Sequence, residues 1–308
     1  MKTLKFRLAT VAWSVIYLLL LLTLLTPFRI ITVFFLIVPG AVLFSSLPFK
    51  GFLVHVIPVL LIIALLDVYS LLPAIYFLIP SILMGRIYKK GGSAFQALMT
   101  GTGIILAELL FVLFIATYSF GFDLSQSLRD QAEISASIVQ QILSANPMFA
   151  NMSWTAEDTQ KLGTMLIGKV PYVMIVSSFI LAVITHALAR PALSSLDVPV
   201  RKMKPAREWM LPRTLIWYYL LAIVIGWIAD SSDSSWIQTV SISMLPLIHA
   251  CFIIQTIGFV YFWTHSRKMS PVIALLLSLV VLVFQPLRII GIIDLAFPLR
   301  EAITRSKK

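Results

Sequence analysis

The chain has 308 residues, of which 59% are hydrophobic and only 12% charged, and its mean hydropathy is +0.97. A water-soluble domain of this length needs charged side chains over much of its surface, so the composition excludes one. The net charge of +11 is spread over several short segments instead of one patch with interleaved aromatics, so nucleic acid is not an expected partner.

Nine apolar runs follow one another along the chain, and a helix needs about twenty residues to cross a bilayer. The runs lie at 8–26, 29–47, 51–67, 70–87, 95–120, 167–189, 213–230, 236–264 and 270–293. Helices are expected because lipid offers no partner for backbone N–H and C=O groups. The predicted fold class is all-α: a polytopic transmembrane helical bundle of about eight to nine spans, forming one integral membrane domain over 1–308.

The basic residues predict the orientation. With a cytoplasmic N-terminus, only Arg29, Arg129, Lys161 and Lys169 lie outside before the ninth run. The inner segments then hold Lys2, Lys5, Arg7, Lys50, Arg86, Lys89, Lys90, Arg190, Arg201, Lys202, Lys204, Arg207, Arg213, Arg267 and Lys268. Lys and Arg are in excess on the cytoplasmic side of membrane proteins. We therefore predict a multi-pass plasma-membrane protein with a cytoplasmic N-terminus and membrane lipids as partners.

The ninth run does not fit this pattern. Nine crossings would place the basic C-terminus, including Arg300 and Arg305, outside. The run is also interrupted by Gln285, Pro286 and Arg288. Two alternatives are open: the chain crosses once and ends outside, or it bends at Pro286 and returns to the cytoplasmic face.

Two connecting segments are long enough to be more than turns. Residues 121–166 are predicted to be an extracytoplasmic amphipathic insertion of two helices, the second begun by a capping box at 155–158. They either lie on the outer membrane surface or form a lid over a cavity. The cytoplasmic loop 190–213 is basic and contains four prolines. It contacts anionic lipid or docks a partner such as an ATPase-driven module; the candidate contacts are Arg201, Lys202, Lys204 and Arg207.

Polar side chains inside the spans are few, and ionisable groups in lipid are costly and usually functional. They are His55, Glu108, His186, His249, Gln255 and Arg288, with Asp67 and Asp294 near span ends. Glu108, His249 and Gln255 are the candidate solute or proton site. Glu108 follows the small residues of 101–103, which let another helix approach, and a pair with His249 is a further hypothesis. His186 is expected to reach water from the end of its span.

Motifs of enzymes are absent from the sequence. There is no HExxH, no GxSxG and no Walker A loop. The single cysteine, Cys251, cannot form a disulfide within the chain or a cysteine metal cluster. We therefore predict no enzymatic activity, no catalytic residue, no metal site and no cofactor.

Three short segments resemble the YybS-like family, multi-pass membrane proteins of bacteria. They are Gly85-Arg-Ile-Tyr-Lys-Lys90, Gln255-Thr-Ile-Gly258 and Gly291-Ile-Ile-Asp294 followed by Arg300. The likeness in layout runs essentially end to end. The family is distantly similar in fold to the substrate-binding S components of energy-coupling-factor transporters. The resemblance therefore implies a transporter-like core in a bacterial cell membrane, but no substrate. The Ala-x-x-x-Ala face that S components often carry on the first helix is missing, since only Ala9 and Ala12 occur there.

Two functions follow from these observations. The first is a transport-type protein that binds a small solute between its helices, with energising partner subunits. The alternative is a non-transporting scaffold that recruits partners through 121–166 and 190–213. Convergence of Glu108, His249 and Gln255 on a cavity would favour the first, and their separation on different helix faces would favour the second.

Overall fold

A computed structural model of the protein describes residues 2–145, 152–231, 234–297 and 299–305. Within these ranges the chain forms α-helices, three short 3-10 helices and no strand. The α-helices are α1 (Lys2–Thr23), α2 (Arg29–Thr32), α3 (Ile37–Ser46), α4 (Phe49–Leu66), α5 (Leu71–Lys89), α6 (Ala94–Phe120), α7 (Leu124–Ala145), α8 (Ala156–Ser195), α9 (Leu215–Asp230), α10 (Ser235–Ser266), α11 (Pro271–Val283), α12 (Arg288–Ala296) and α13 (Leu299–Arg305). The 3-10 helices are Val68–Ser70, Ala206–Glu208 and Gln285–Leu287. The predicted all-α class is confirmed.

Seven helical segments of the described chain are long and apolar enough to cross a membrane, and each overlaps a predicted span. An eighth candidate is the pair α11 and α12. The apolar helix α9 has sixteen residues, which is short of the about twenty that a crossing needs. The fold is that of a polytopic helical membrane protein, as predicted.

The ninth predicted span is bent. α11 ends at Val283, and the helix pair changes direction by 110° before α12 continues from Arg288. Pro286 lies in this bend, where it has no N–H to donate and its ring disfavours a continuous helix. The bend is at the position that the second alternative requires. The side of the membrane on which the chain ends stays a prediction.

Large apolar side chains cover much of the exposed surface of these helices. On α11, for example, Leu275, Leu279 and Val283 are exposed, the last by 85%. Exposing such a surface to water would be unfavourable, whereas exposing it to lipid hydrocarbon is not. We therefore expect these faces to contact membrane lipid.

The described chain packs as two compact units, and α8 contributes residues to both of them. Unit 1 comprises Met1–Phe120 and Met174–Met203, and unit 2 comprises Gly121–Val173 and Lys204–Lys308. Each unit contains one of the two clusters of buried apolar residues, with Phe52 in the core of unit 1 and Phe252 in that of unit 2.

Unit 1 is built on the close packing of α3 against α5. Gly40 of α3 faces Ser81 of α5, and the Ser81 hydroxyl donates to the carbonyl of Ile37 at 2.9 Å. One turn further along both helices, the Ser45 hydroxyl donates to the carbonyl of Gly85 at 3.2 Å. Small residues and these hydrogen bonds let the two backbones approach closely in a membrane-type helix interface.

The capping box predicted at 155–158 is present in unit 2. Thr155 Oγ1 accepts from the backbone N–H of Asp158 at 3.2 Å, and Asp158 Oδ2 accepts from that of Thr155 at 2.9 Å. The helix it begins, α8, continues for 40 residues. No helix ends at 166, where the insertion was predicted to end, because the apolar residues that follow continue the same helix.

The first helix of the predicted insertion corresponds to α7. Its small side chains Ala132 and Ala136 are buried, and Ala132 lies against Gly163 near the start of α8. Ile134 and Ile138 are more than half exposed. α7 therefore packs through its small residues and leaves larger apolar side chains uncovered within unit 2.

Candidate functional site

Three helices of unit 1 meet at a glycine. A Cβ on Gly101 of α6 would lie 2.7 Å from Sδ of Met84 on α5 and 3.1 Å from Cβ of Ala182 on α8. The short connection at 90–93 makes α5 and α6 antiparallel neighbours. We call this contact of Met84, Gly101 and Ala182 the constriction, because polar side chains lie beyond it in both directions along the helices.

On one side of the constriction lies a cluster that we call the Tyr88 group: Tyr88, Thr185, His186 and Arg190. The Tyr88 hydroxyl and Nδ1 of His186 are 3.1 Å apart, and both residues are buried. His186 Nε2, Arg190 Nε and Thr185 Oγ1 are buried without a hydrogen-bond partner among the described residues. The expectation that His186 reaches water is therefore wrong: its ring is held inside the unit by Tyr88 and is 3% exposed.

On the other side lies the Glu108 group, formed by Glu108 of α6 and Tyr76 of α5. Glu108 is seven residues after Gly101, which places it on the same helix face two turns away. It is 8% exposed, and neither carboxyl oxygen has a partner in the described part of the chain. The Tyr76 hydroxyl is likewise buried and unpartnered, and it lies within electrostatic range of Glu108.

The two groups are separate along the helix axes. At about 1.5 Å per residue, Tyr88 and His186 lie about 6 Å from the constriction and Glu108 about 10 Å from it on the opposite side. The Tyr88 group joins α5 to α8, and the Glu108 group joins α5 to α6. Unit 1 therefore holds two unsatisfied polar positions with an apolar contact between them.

The two candidates on α10 in unit 2 lie on different faces. His249 and Gln255 are six residues apart, which is about 120° around a helix. The His249 ring packs 5.7 Å from that of Tyr219 on α9, and its Nε2 has no partner among the residues described. Gln255 is fully buried, and both its amide oxygen and its amide nitrogen are hydrogen-bonded. Glu108 belongs to the other unit, so its pairing with His249 stays a prediction.

Gln255 is part of a cluster that we call the Asp294 network, completed by Asp294 and Arg300. Gln255 Nε2 donates to Asp294 Oδ2 at 2.6 Å. Arg300 donates from Nε to Asp294 Oδ1 at 3.2 Å and from Nη2 to Oδ2 at 2.8 Å, and its guanidinium lies over the ring of Phe262. Bidentate arginine–carboxylate pairs of this kind are strong and geometrically specific.

The Asp294 network also holds part of the basic loop. Gln255 Oε1 accepts from the N–H of Leu211 at 2.9 Å, and Arg300 Nη1 donates to the carbonyl of Arg207 at 2.9 Å. Gly258 has no side chain, and the carbonyl of Trp209 packs closely against it. Residues 204–211, which contain no α-helix, are thus fixed to the helices of unit 2.

The predicted basic contacts lie at the surface. Arg201 and Lys202 belong to unit 1 and Lys204 and Arg207 to unit 2, and all four are exposed. Arg207 Nη1 lies 3.0 Å from Nε2 of His265. These two residues line a cleft of about 250 Å³ in unit 2, which none of the three predicted in-span site residues lines.

Several residues of these clusters were missed as site residues from sequence: Tyr76, Tyr88, Arg190, Asp294 and Arg300. Two signals were available. His186 and Arg190 are four residues apart and so share a helix face. Asp294 interrupts an apolar run and is followed six residues later by Arg300, within a segment already quoted for the family resemblance. Nothing local indicates that this segment meets Gln255 and Gly258.

Comparison with known proteins agrees with this architecture. A family model described as "Predicted membrane protein (DUF2232)" matches residues 14–295. The chain is 23% identical over 307 residues to "Uncharacterized protein YybS" of Bacillus subtilis (strain 168), covering 91% of this chain and 96% of that protein. No solved structure matches the chain. The resemblance to YybS-like proteins is confirmed, and the chain belongs to the DUF2232 family of predicted membrane proteins.

Proposed function

We propose that the protein is a transport-type membrane protein that binds a small polar solute in unit 1, between α5, α6 and α8. One observation carries this proposal. Seven buried side-chain atoms of the described residues lack a hydrogen-bond partner, and six of them belong to the Tyr88 and Glu108 groups. Buried polar groups in proteins are nearly always satisfied, so such a concentration points to a ligand, ion or water that these groups bind.

The energetics favour a functional reason for keeping these groups. Leaving a buried polar group unpaired costs about 1–3 kcal/mol, and more for a charged one. Apolar side chains such as leucine or phenylalanine at the positions of these polar residues would avoid that cost. A site that binds a polar solute gives the groups partners during function, and strain of this kind is typical of active and binding sites.

The constriction supplies the transport component of the proposal. Met84, Gly101 and Ala182 meet between the two polar groups, so a solute that moves from one group to the other requires these helices to separate. The chain has no Walker A loop, so energy for such a movement would come from partner subunits or an ion gradient. The solute site proposed from sequence is thereby moved from Glu108, His249 and Gln255 to Glu108 and the Tyr88 group.

A thermal-shift screen of the purified full-length protein tests this function. The panel contains vitamins, divalent metals, nucleosides, carboxylates and phosphates, and each is tested on wild type, Glu108→Gln and His186→Gln. A bound solute raises Tm because it stabilises only the folded state. We expect at least one compound to raise the Tm of wild type and of the exposed-acid control Glu133→Gln. The same compound should fail to raise the Tm of at least one of the site variants Glu108→Gln and His186→Gln. Equal shifts in all four proteins would contradict the proposal.

The scaffold is the second candidate function, and the Asp294 network favours it. The side chains of Gln255 and Arg300 fix this irregular basic loop to the helices, so the loop can present a defined surface to a membrane partner. A photo-crosslinking amino acid at position 204 should then give a protein adduct in intact cells, and Asp294→Asn should remove it by releasing the loop. Adducts with lipid alone would contradict a scaffold at this surface.

A further inference from the structure

We propose that the Tyr88 group binds an oxyanion, the carboxylate or phosphate of a ligand. This inference rests on the proposed function of unit 1 and names the class of its solute. The three unpartnered atoms of the group are His186 Nε2, Arg190 Nε and Thr185 Oγ1. All three atoms can donate a hydrogen bond, and all three belong to the stretch 185–190 of α8.

The Tyr88 hydroxyl and Nδ1 of His186 lie 3.1 Å apart, and either atom can be the donor of the hydrogen bond between them. The tautomer that suits an oxyanion is the one in which the Tyr88 hydroxyl donates to Nδ1. A neutral ring whose Nδ1 accepts carries its own proton on Nε2. His186 Nε2 is then a buried donor with no acceptor in the described structure. A ligand oxygen satisfies it.

Arg190 determines the charge of the ligand. A guanidinium is a cation with N–H donors and no acceptor. His186 and Arg190 are four residues apart on α8, so their side chains project from one face of the helix. A cation or an ammonium group is therefore repelled here, whereas an anion with two or three oxygens matches the donors in number and in charge.

Arg300 in unit 2 is an internal comparison for Arg190. Arg300 is also partly buried, and the chain supplies it with the carboxylate of Asp294 at 2.8 Å. Within the ranges that the structure describes, Arg190 is not part of an ion pair of the kind that Arg300 forms with Asp294. Arg190 is half-buried, and its buried Nε–H has no acceptor among the described residues, which costs free energy, more so for a charged group than for a neutral one. The oxyanion of a ligand takes the place that Asp294 takes in unit 2.

The test uses full-length protein in a zwitterionic detergent, with unfolding followed by the fluorescence of its seven tryptophans. The probes are sodium phosphate, sodium acetate and sodium succinate, each compared with sodium chloride at equal ionic strength. A fourth probe, mixed micelles containing phosphatidylglycerol or phosphatidylcholine, distinguishes a lipid headgroup from a free anion. The variants are Arg190→Gln, His186→Gln and Tyr88→Phe. The matched control is Arg86→Gln, which removes an exposed arginine from α5.

We expect phosphate or a carboxylate to raise the Tm of wild type and of Arg86→Gln by a few degrees at about a hundredfold excess over Kd. Arg190→Gln and His186→Gln should lose this shift, and Tyr88→Phe should weaken it because the His186 ring loses its fixed orientation. Where Arg190→Gln fails to fold, Arg190→Lys replaces it: the charge is kept but the fork of donors is lost, so binding should weaken about tenfold or more.

Other results would separate the oxyanion site from the proposed solute function or overturn one of them. A shift with phosphatidylglycerol alone supports the oxyanion site but assigns it to a lipid headgroup, which contradicts the proposed solute function. Equal shifts with chloride, or shifts that survive in Arg190→Gln, overturn the site. A compound whose effect depends on Glu108 and not on Arg190 overturns this inference and leaves the proposed function intact.

Discussion

Arg300 forms a bidentate ion pair with Asp294, six residues earlier and across the end of α12. The Asp294 side chain is completely buried and that of Arg300 is 13% exposed. The third guanidinium nitrogen reaches the carbonyl of Arg207, so one side chain joins the C-terminal helix, the bent segment and the basic loop. This connection explains why the segments at Gln255, Gly291 and Arg300, which are far apart or not adjacent in sequence, come together in unit 2.

Loss of one partner of this pair should destabilise the protein strongly. Asp294→Asn or Arg300→Gln leaves a buried group without its counter-charge, which typically costs about 3–5 kcal/mol. We expect a clear fall in Tm for each single variant and a smaller additional fall for the double variant, since the two residues act as one unit. Glu157→Gln is the control, because its partner Lys161 is 70% exposed and this pair should hardly affect Tm. Additive single effects would contradict a coupled pair.

The same contact predicts the side on which the chain ends. Arg300 is bonded to the loop at Arg207, so α13 and the basic loop should lie on one side of the membrane. In a Cys251→Ser background, cysteines at Ala206 and Thr304 should both be protected from an impermeant thiol reagent in intact cells. A cysteine at Ser135 should be labelled from outside. Labelling of Thr304 but not Ala206 would show that the bent segment crosses.

This arrangement would also remove the conflict in the charge pattern. With α11 and α12 bent back at Pro286, Arg300 and Arg305 join the other bases on the cytoplasmic side, as the positive-inside pattern requires. Labelling of Ala206 from outside would reverse every inner and outer assignment together.

The spans could be predicted from sequence because their length and apolar composition are set by the thickness of the bilayer. The break in the ninth run could be located because proline acts locally, through its missing N–H at Pro286. The Tyr88–His186 bond joins residues 98 positions apart, and no local pattern encodes it. For that reason His186 was expected at water although it is buried.

Gly101 and Gly103 offer a matched test of the constriction. A Cβ on Gly101 meets Met84 and Ala182, whereas a Cβ on Gly103 meets nothing within 4 Å. Gly101→Val should destabilise by about 1–3 kcal/mol through overpacking. Gly103→Ala should be neutral or stabilising by up to about 1 kcal/mol, because alanine favours helix more than glycine. Thermal unfolding of the purified variants measures both.

A compensating change makes this test specific. Met84→Ala removes the side chain that the new Cβ would strike, so it should restore part of the stability lost in Gly101→Val. It should not rescue a variant elsewhere, such as Gly291→Ala, where the added Cβ would strike the backbone of α10. Failure of Met84→Ala to improve Gly101→Val would place the strain outside the constriction.

Glu108 provides the final prediction, which needs no knowledge of the solute. If its carboxyl is kept for function and unpaired in the resting protein, replacing it with leucine removes the penalty of burying it. Glu108→Leu should then stabilise the protein by about 1–3 kcal/mol, and Glu108→Gln, which is still polar and unpaired, should change Tm little. For a domain of this size about 1 kcal/mol corresponds to roughly 2–4 °C in Tm. A marked fall in Tm for both variants would instead identify Glu108 as half of a structural pair. His249 would be the first partner to test, by a double-mutant cycle.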